Sequence, residues 1–429
     1  MLAPEVEPDI IVIGAGAAGL SAAIALAKAG FAVIVAGSLE QRGIGRTVAL
    51  FEASLRFYDA LGIWRQLSSQ AAKIETIRMI DATGSRVPVP SIGFSASEIG
   101  LPAFGENIEN DHLVEQLAAI ANEIPSLSLR DERLVDIAEG QDHVRAIFDS
   151  GHCINAKLII AADGQRSTVR AKARIGARRW TYPQVALTVL TAHEKPHRNT
   201  SVEFHTRNGP CTLVPLPPSE TAPHRSSLVW LMSEAEAERR RGLGETLLAR
   251  EIERQVEAVF GQMRLDGPSG TFPMTGLRVS RLTGRRVALL GEAAHVFTPL
   301  AAQGLNLSLR DTAALVDCVE TARARGEDIG AAATLSRYAD ARRPDISLRT
   351  HGIDILNRSL LADFLPVDLL RGMGFLAFTL IGPLRRAVMR EGILPNEHLP
   401  PLMRRPRSFS RSSDVAQSID PRARQHVRS

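Results

Sequence analysis

The sequence predicts an α/β protein in which a parallel-sheet domain is interrupted by a β-rich insertion, with helices at the C-terminal end. Three observations carry this prediction. The chain opens with a strand–turn–helix–strand unit, "DIIVIGAGAAGLSAAIALAKAGFAVIVAG", and buried strands of the same kind return at "AKLIIAADG" and "RRVALLGEAAH". Between the last two the character changes to short strands broken by Pro and Gly, such as "CTLVPLPP" and "SSLVWLM". The 429 residues also exceed what one core needs, so two or more domains are expected.

Each element follows from local pattern. Ile10–Ile13 is apolar on both faces, as a buried parallel strand should be. Leu20, Ile24 and Ala27 recur at helical spacing, and Gly30 stands where a helix C-cap glycine belongs. The next strand, in "FAVIVAGSLE", runs into Ala36 and Gly37 without the Asp or Glu that usually ends such a strand and holds a ribose hydroxyl. "NDHLVEQLAAIANEI" reads as a helix and "FDSGHC" as a hairpin turn. The β-rich insertion is expected to hold a single amphipathic helix, roughly Glu234–Phe260. "GMGFLAFTLIGPL" is shorter than the about 20 apolar residues of a membrane span, so burial is the first reading and an interfacial position the second. The expected division assigns 1–75, 106–179 and 277–345 to the nucleotide-binding domain and 76–105 and 180–276 to the β-rich domain. A C-terminal helical region then covers 346–400 and a disordered basic tail 401–429.

Composition narrows the class. Hydrophobic residues make up 45% of the chain, which suits a soluble globular enzyme. Cys153, Cys211 and Cys318 are odd in number and lack metal spacing, so free thiols in a reducing compartment are expected. The N-terminus is acidic and shows no basic leader, which points to the cytoplasm. The net charge of +4 belongs to the tail: from Arg404 onward seven Arg and two Asp contribute +5, leaving about −1 for the body. Such a tail can touch an anionic membrane surface or nucleic acid, and a solvated terminus with no partner explains it at least as well. No nucleic-acid partner is expected.

The chemistry sits in three motifs. Gly14, Gly16 and Gly19 form G-x-G-x-x-G between a strand and a helix. The first glycine makes the tight turn, the second admits a pyrophosphate, and the third lets helix and strand pack closely. The helix start then offers free N–H groups and a positive dipole end. "ADGQRSTVR" places Asp163 and Gly164 at a strand end, followed by Ser167 and Arg170. "GEAAHVFTPLAAQGLNLSLRD" places Glu292 after Gly291, then Pro299, then Gly304, Leu305 and Asn306 at the start of a long helix.

With these motifs in this order, the sequence resembles the class A flavin-dependent monooxygenases, the para-hydroxybenzoate hydroxylase fold, over nearly all of the chain before the tail. Within them it looks most like the ubiquinone-biosynthesis hydroxylases of the UbiH/VisC type, which "NRSLLADFLP" and "IGPLRRAVMREGILP" also resemble. The resemblance implies FAD as cofactor, NAD(P)H as co-substrate, and O2-dependent hydroxylation of an aromatic ring. The substrate it implies is an isoprenoid quinone precursor lying between the flavin and the β-rich domain. It extends the location to a peripheral place on the inner membrane or in a quinone-synthesis complex. Glu292 would accept a hydrogen bond from the FAD ribitol, and Arg46 would contact FAD. Asp163, Gly164 and Arg170 would serve FAD and NAD(P)H. Pro299 would stand beside the ring, and the helix start at Gly304, Leu305 and Asn306 would face the flavin N1/C2 carbonyl.

Several positions depart from that pattern. Glu292 replaces the usual Asp, Ala301 and Ala302 stand where a glycine is common, and Asp111 stands where many relatives carry Arg. With Gly37 these bear on FAD affinity more than on fold. Arg42 offers a rival reading as a clamp for the 2′-phosphate of NADP. No catalytic base is identified, and His295 reads as a structural histidine at the head of a turn. Two other functions remain open: a same-fold enzyme for another aromatic compound, and a non-catalytic scaffold in a quinone-synthesis assembly.

Overall fold

The computed structural model describes residues 7–38, 45–83, 91–206, 209–297, 302–361, 381–394 and 399–404. Ile10–Ile13 lies at the centre of a six-stranded sheet, parallel to Val33–Ala36 on one side and Leu158–Ala161 on the other. Leu127–Arg130 and Val287–Leu289 extend it in parallel, and Thr283–Gly284 turns back as an antiparallel edge. The four inner strands bury every residue, because helices cover both faces. Helix Ala17–Lys28 packs against helices Asn110–Asn122 and Gln303–Ala324. Gly30, at φ +86°, follows the C-cap of the first of these, as the sequence predicts.

The second large sheet has eight strands. From one edge they are His295–Val296, Met263–Val279, Ala177–His193, Arg225–Ser233, Gly209–Leu216, Thr200–Thr206, Thr76–Asp81 and Ile92–Ser95. Val189, Phe204, Leu213 and Trp230 form its own core with Leu248 and Ile252. The single helix expected at Glu234–Phe260 is two helices, Glu234–Arg241 and Glu245–Gln255. Gly242 and Gly244 are the reason. The first helix ends at Gly242, and the second is N-capped by Gly244, so the glycines break the helix in two. The "FDSGHC" hairpin forms as read, with Val144–Phe148 antiparallel to Cys153–Ala156.

Two devices join the sheets. The three-stranded sheet Thr47–Phe51, Gly105–Glu109, Ala71–Ile74 lies between them, with Thr47 Oγ1 donating to Ser227 Oγ at 2.8 Å. His295–Val296 pairs with Leu277 and Arg278, so the turn after Val287–Leu289 becomes an edge of the β-rich sheet. Among the described residues the C-terminal region holds the helices Ala332–Leu361, Gly382–Ile393 and Pro401–Arg404. Most of "GMGFLAFTLIGPL", the tail beyond Arg404, Arg42, Pro299 and Ala301 lie outside the described residues. Among the described residues no helix is long and apolar enough to cross a membrane, and the three cysteines are free thiols.

Candidate cofactor site

The glycine turn is built against the end of strand Leu158–Ala161. Gly14 has φ +115°, and a Cβ there would lie 2.3 Å from the Ala162 carbonyl oxygen. A Cβ on Gly19 would lie 1.9 Å from the Gly14 carbonyl oxygen, so helix and turn touch backbone to backbone. Gly16 differs: it is the N-cap of Ala17–Lys28, and a Cβ there meets nothing within 4 Å. That helix has no side-chain cap and no acid in its first turn, which leaves its first N–H groups unpaired and its dipole uncompensated. Gly37 accounts for the missing ribose acid. With φ +155° and a would-be Cβ 2.9 Å from the Ala15 nitrogen, this position packs on the glycine turn and has no room for a side chain.

Asp163 stands beside the same turn. Its Oδ2 accepts from the N–H groups of Thr168 (2.7 Å) and Val169 (3.1 Å), while its buried Oδ1 has no partner. Burial raises its pKa, and the hydrogen bonds from the Thr168 and Val169 backbone oppose that rise. Gly164, at φ +77°, turns the chain away, and a Cβ there meets nothing within 4 Å. Arg170 is buried and faces inward. Nη1 donates to the Ala293 carbonyl at 2.7 Å and Nη2 to the Gln165 carbonyl at 2.8 Å. It is a strut between the Asp163 turn and the Gly291 turn.

At that late turn Gly291 has φ +58°, and a Cβ there would meet Ser308 Oγ at 2.7 Å. Glu292 is exposed. Arg46 lies over the Phe272 ring at 3.7 Å, reaching from the nucleotide half onto the β-rich sheet. Burial lowers its pKa, and the charges of Glu292 and Asp111 pull it back up. The two acids that depart from the family pattern therefore face the same arginine. Helix Gln303–Ala324 starts from Ala302, which holds a left-handed φ of +48° where glycine would be unstrained. This start also lacks a side-chain cap and a first-turn acid, and Gly304 faces open space. Leu305 is half-buried beside it. The Asn306 side chain is fully engaged: Oδ1 accepts from Phe51 N (2.9 Å) and Ser54 Oγ (2.7 Å), and Nδ2 donates to the carbonyls of Ala49 and Ala302 (both 2.7 Å). Its side chain fixes the helix start, and only its backbone is left to face a ligand.

Sequence reasoning missed the residues that hold this turn. Asp311 is fully buried. Its Oδ2 meets His295 Nε2 at 2.6 Å and accepts from Gly291 N at 3.2 Å, and its Oδ1 accepts from Arg342 Nε at 2.7 Å. Arg342 also donates to Asp345 Oδ2 at 2.9 Å, and Arg310 and Arg349 bind the same carboxylate. Burial works to raise the pKa of Asp311, but His295 and Arg342 outweigh it and hold it low. Burial likewise opposes ionisation of Asp345, yet Arg310, Arg342 and Arg349 bring it down to about 2. The available signal was a charged pair, "LRD", inside an otherwise apolar helix face. Its partner at 342 lies too far along the chain for a local pattern to find.

Residues 7–346 match the FAD binding domain family. The chain belongs to that family. A relative from Rhodospirillum rubrum named ubiquinone hydroxylase UbiL is 32% identical over 90% of this chain and 89% of its own length. A relative from Escherichia coli named 3-demethoxyubiquinol 3-hydroxylase is 29% identical over 89% of this chain and 97% of its own. The structure of p-nitrophenol 4-monooxygenase PnpA from Pseudomonas putida superposes with a TM-score of 0.74 at 20% identity, covering 91% of this chain and 98% of that one. Class A monooxygenase membership, the para-hydroxybenzoate hydroxylase fold and FAD as cofactor are as the sequence predicts. The residues present fit a flavin dinucleotide. Gly16, Gly164 and Gly304 leave open space where a side chain would stand, two helix starts are uncapped, and Asp163 Oδ1 is unpaired.

Proposed function

We propose that this chain is an FAD-dependent hydroxylase acting on the aromatic ring of an isoprenoid quinone precursor, with NAD(P)H and O2 as co-substrates. One observation supports the reading: the glycine turn, the Asp163 turn and the Gly291 turn lie side by side, with Asp163 Oδ1 unpaired and helix Ala17–Lys28 lacking a side-chain cap. The strut from Arg170 to Ala293 and the contact of Gly14 with Ala162 bring them together.

In this reading the backbone at Gly14, Gly16 and Gly19, with the helix start behind it, takes the pyrophosphate. Asp163 Oδ1 and Glu292 accept hydroxyl groups of the FAD sugar chain, and Gly164 and Gly291 give the turns that present them. Arg46, held over Phe272, supplies a cation at the boundary of the two sheets. The N–H groups of Gly304, Leu305 and Asn306 favour negative charge on the flavin ring edge. Bound FAD would supply the redox chemistry. The protein supplies position and a dry apolar wall. Ala49, Phe51, Ile74, Phe104, Met389 and Ile393 cluster next to Ala302, which suits an apolar substrate. The helix that contributes Met389 and Ile393 also exposes Leu384 and Val388, with Ile381 preceding it. Arg386 and Arg390 add positive charge to this helix, which supports docking on the anionic membrane surface where such a substrate resides.

A deletion strain tests the substrate. It should accumulate a quinone precursor lacking one ring hydroxyl, and the wild-type gene should restore the pathway while Gly19→Val should not. Normal quinone in the deletion strain would remove ubiquinone from the reading and leave another aromatic compound. Purified protein without flavin absorbance would favour the scaffold instead.

A further inference from the structure

Arg285 and Arg286 immediately precede Val287–Leu289. They therefore lie at the amino ends of the parallel strands whose carboxyl ends carry the cofactor turns. Ligands of open parallel sheets bind at the carboxyl ends, so the cofactor does not use this end. Yet a cavity of about 700 Å³ opens here, lined by Lys172, Arg174, Arg281, Arg285 and Arg286 against Glu139.

The partners of these cations divide them into two sets. Arg286 is buried and structural. It donates to the carbonyls of Gln141 (3.0 Å) and Lys157 (2.9 Å) and pairs with Asp328. Lys172 Nζ lies 3.2 Å from Asp136 Oδ1. Among the described residues the remaining three face no carboxylate partner. Arg281 reaches only the Ala173 carbonyl, at 3.5 Å, and the side chains of Arg174 and Arg285 have no hydrogen bond or ion pair there. All three are exposed at the rim. The backbone also holds Arg174 at φ +50° and Arg286 at φ +53°, a left-handed conformation that L-residues other than Asn and Asp seldom adopt. Three exposed guanidinium groups thus line one cavity without a carboxylate partner, and a guanidinium matches phosphate oxygens in bidentate fashion. The volume falls in the range of small-molecule sites.

We propose that this cavity binds a phosphate-bearing anion, at a site separate from the cofactor crevice. The phosphate comes either from a soluble ligand or from a lipid headgroup. The experiment uses the FAD-loaded full chain and two probes, inorganic pyrophosphate followed by calorimetry, and sedimentation with phosphatidylglycerol vesicles against phosphatidylcholine vesicles. The wild type should bind one probe saturably. Arg174→Glu/Arg285→Glu should weaken that binding at least tenfold, with the visible flavin spectrum unchanged, and Arg174→Lys/Arg285→Lys should give a smaller loss. Pyrophosphate binding assigns a soluble ligand, and binding to phosphatidylglycerol vesicles alone assigns a headgroup. The proposal is overturned if neither probe binds, or if the charge-reversed protein binds as the wild type does.

Discussion

Two polar clusters in the nucleotide-binding half are built in opposite ways. Around Asp311 every group is engaged: His295, Gly291 and Arg342 fill its two oxygens, and Arg342, Arg310 and Arg349 share Asp345. Around the glycine turn, Asp163 Oδ1 and two helix starts are left without partners. Unpaired buried groups are costly, so a chain keeps them where a ligand completes them. In the proposed function the closed cluster is scaffold, and the open one is where the cofactor binds. The same distinction sorts residues within a motif. Asn306 and Arg170 belong to the closed class although they lie among the cofactor motifs.

The sharpest way to break this contrast is Arg342→Leu. It leaves Asp311 Oδ1 buried without a partner and removes a buried ion pair, which should cost about 3–5 kcal/mol, read from urea denaturation. A loss under about 1 kcal/mol would show that the cluster is not closed. Gly19→Ala comes next. Its Cβ meets backbone that cannot yield, so about 3 kcal/mol of stability and most bound flavin should be lost, measured by absorbance of the purified protein.

Acid then probes the closed cluster. The pKa of Asp345 is held at about 2, below the ordinary value of 3.8, so its ionised form stabilises the fold above about pH 4. As pH falls from about 4 to 2 roughly 2 kcal/mol of that stability is lost, and Asp311, also held low, acts in the same direction. Asp345→Asn should flatten this stretch of a stability–pH curve. If the curve keeps its slope, other carboxylates govern acid unfolding.

Asp163→Asn probes the open cluster. One amide oxygen can keep the helix cap, but the amide nitrogen cannot accept a ligand hydroxyl. FAD affinity should fall about tenfold to a hundredfold, the equivalent of about 1.5–3 kcal/mol, while the urea midpoint of the apoprotein barely moves. A large midpoint shift with unchanged affinity would move Asp163 into the scaffold. The smallest effect expected is from Ala302→Gly, which relieves a left-handed alanine and should raise the melting temperature by the equivalent of about 1 kcal/mol.

The sequence by itself determined the parallel sheet, the glycine turn and the order of the cofactor motifs. These depend on local period and on backbone conformations that only glycine adopts at low cost, and both are written in consecutive residues. It also placed His295 as structural. Only the tertiary structure decided that Glu234–Gln255 is two helices and that Gly37 excludes a side chain because it packs on Ala15. It alone showed that Arg170 and Asn306 brace the turns, and that Arg342 neutralises Asp311 from 31 positions away. Those facts turn on which atoms meet after distant segments pack. No periodicity or motif records whether a polar group will find its partner in the protein or leave it for a ligand.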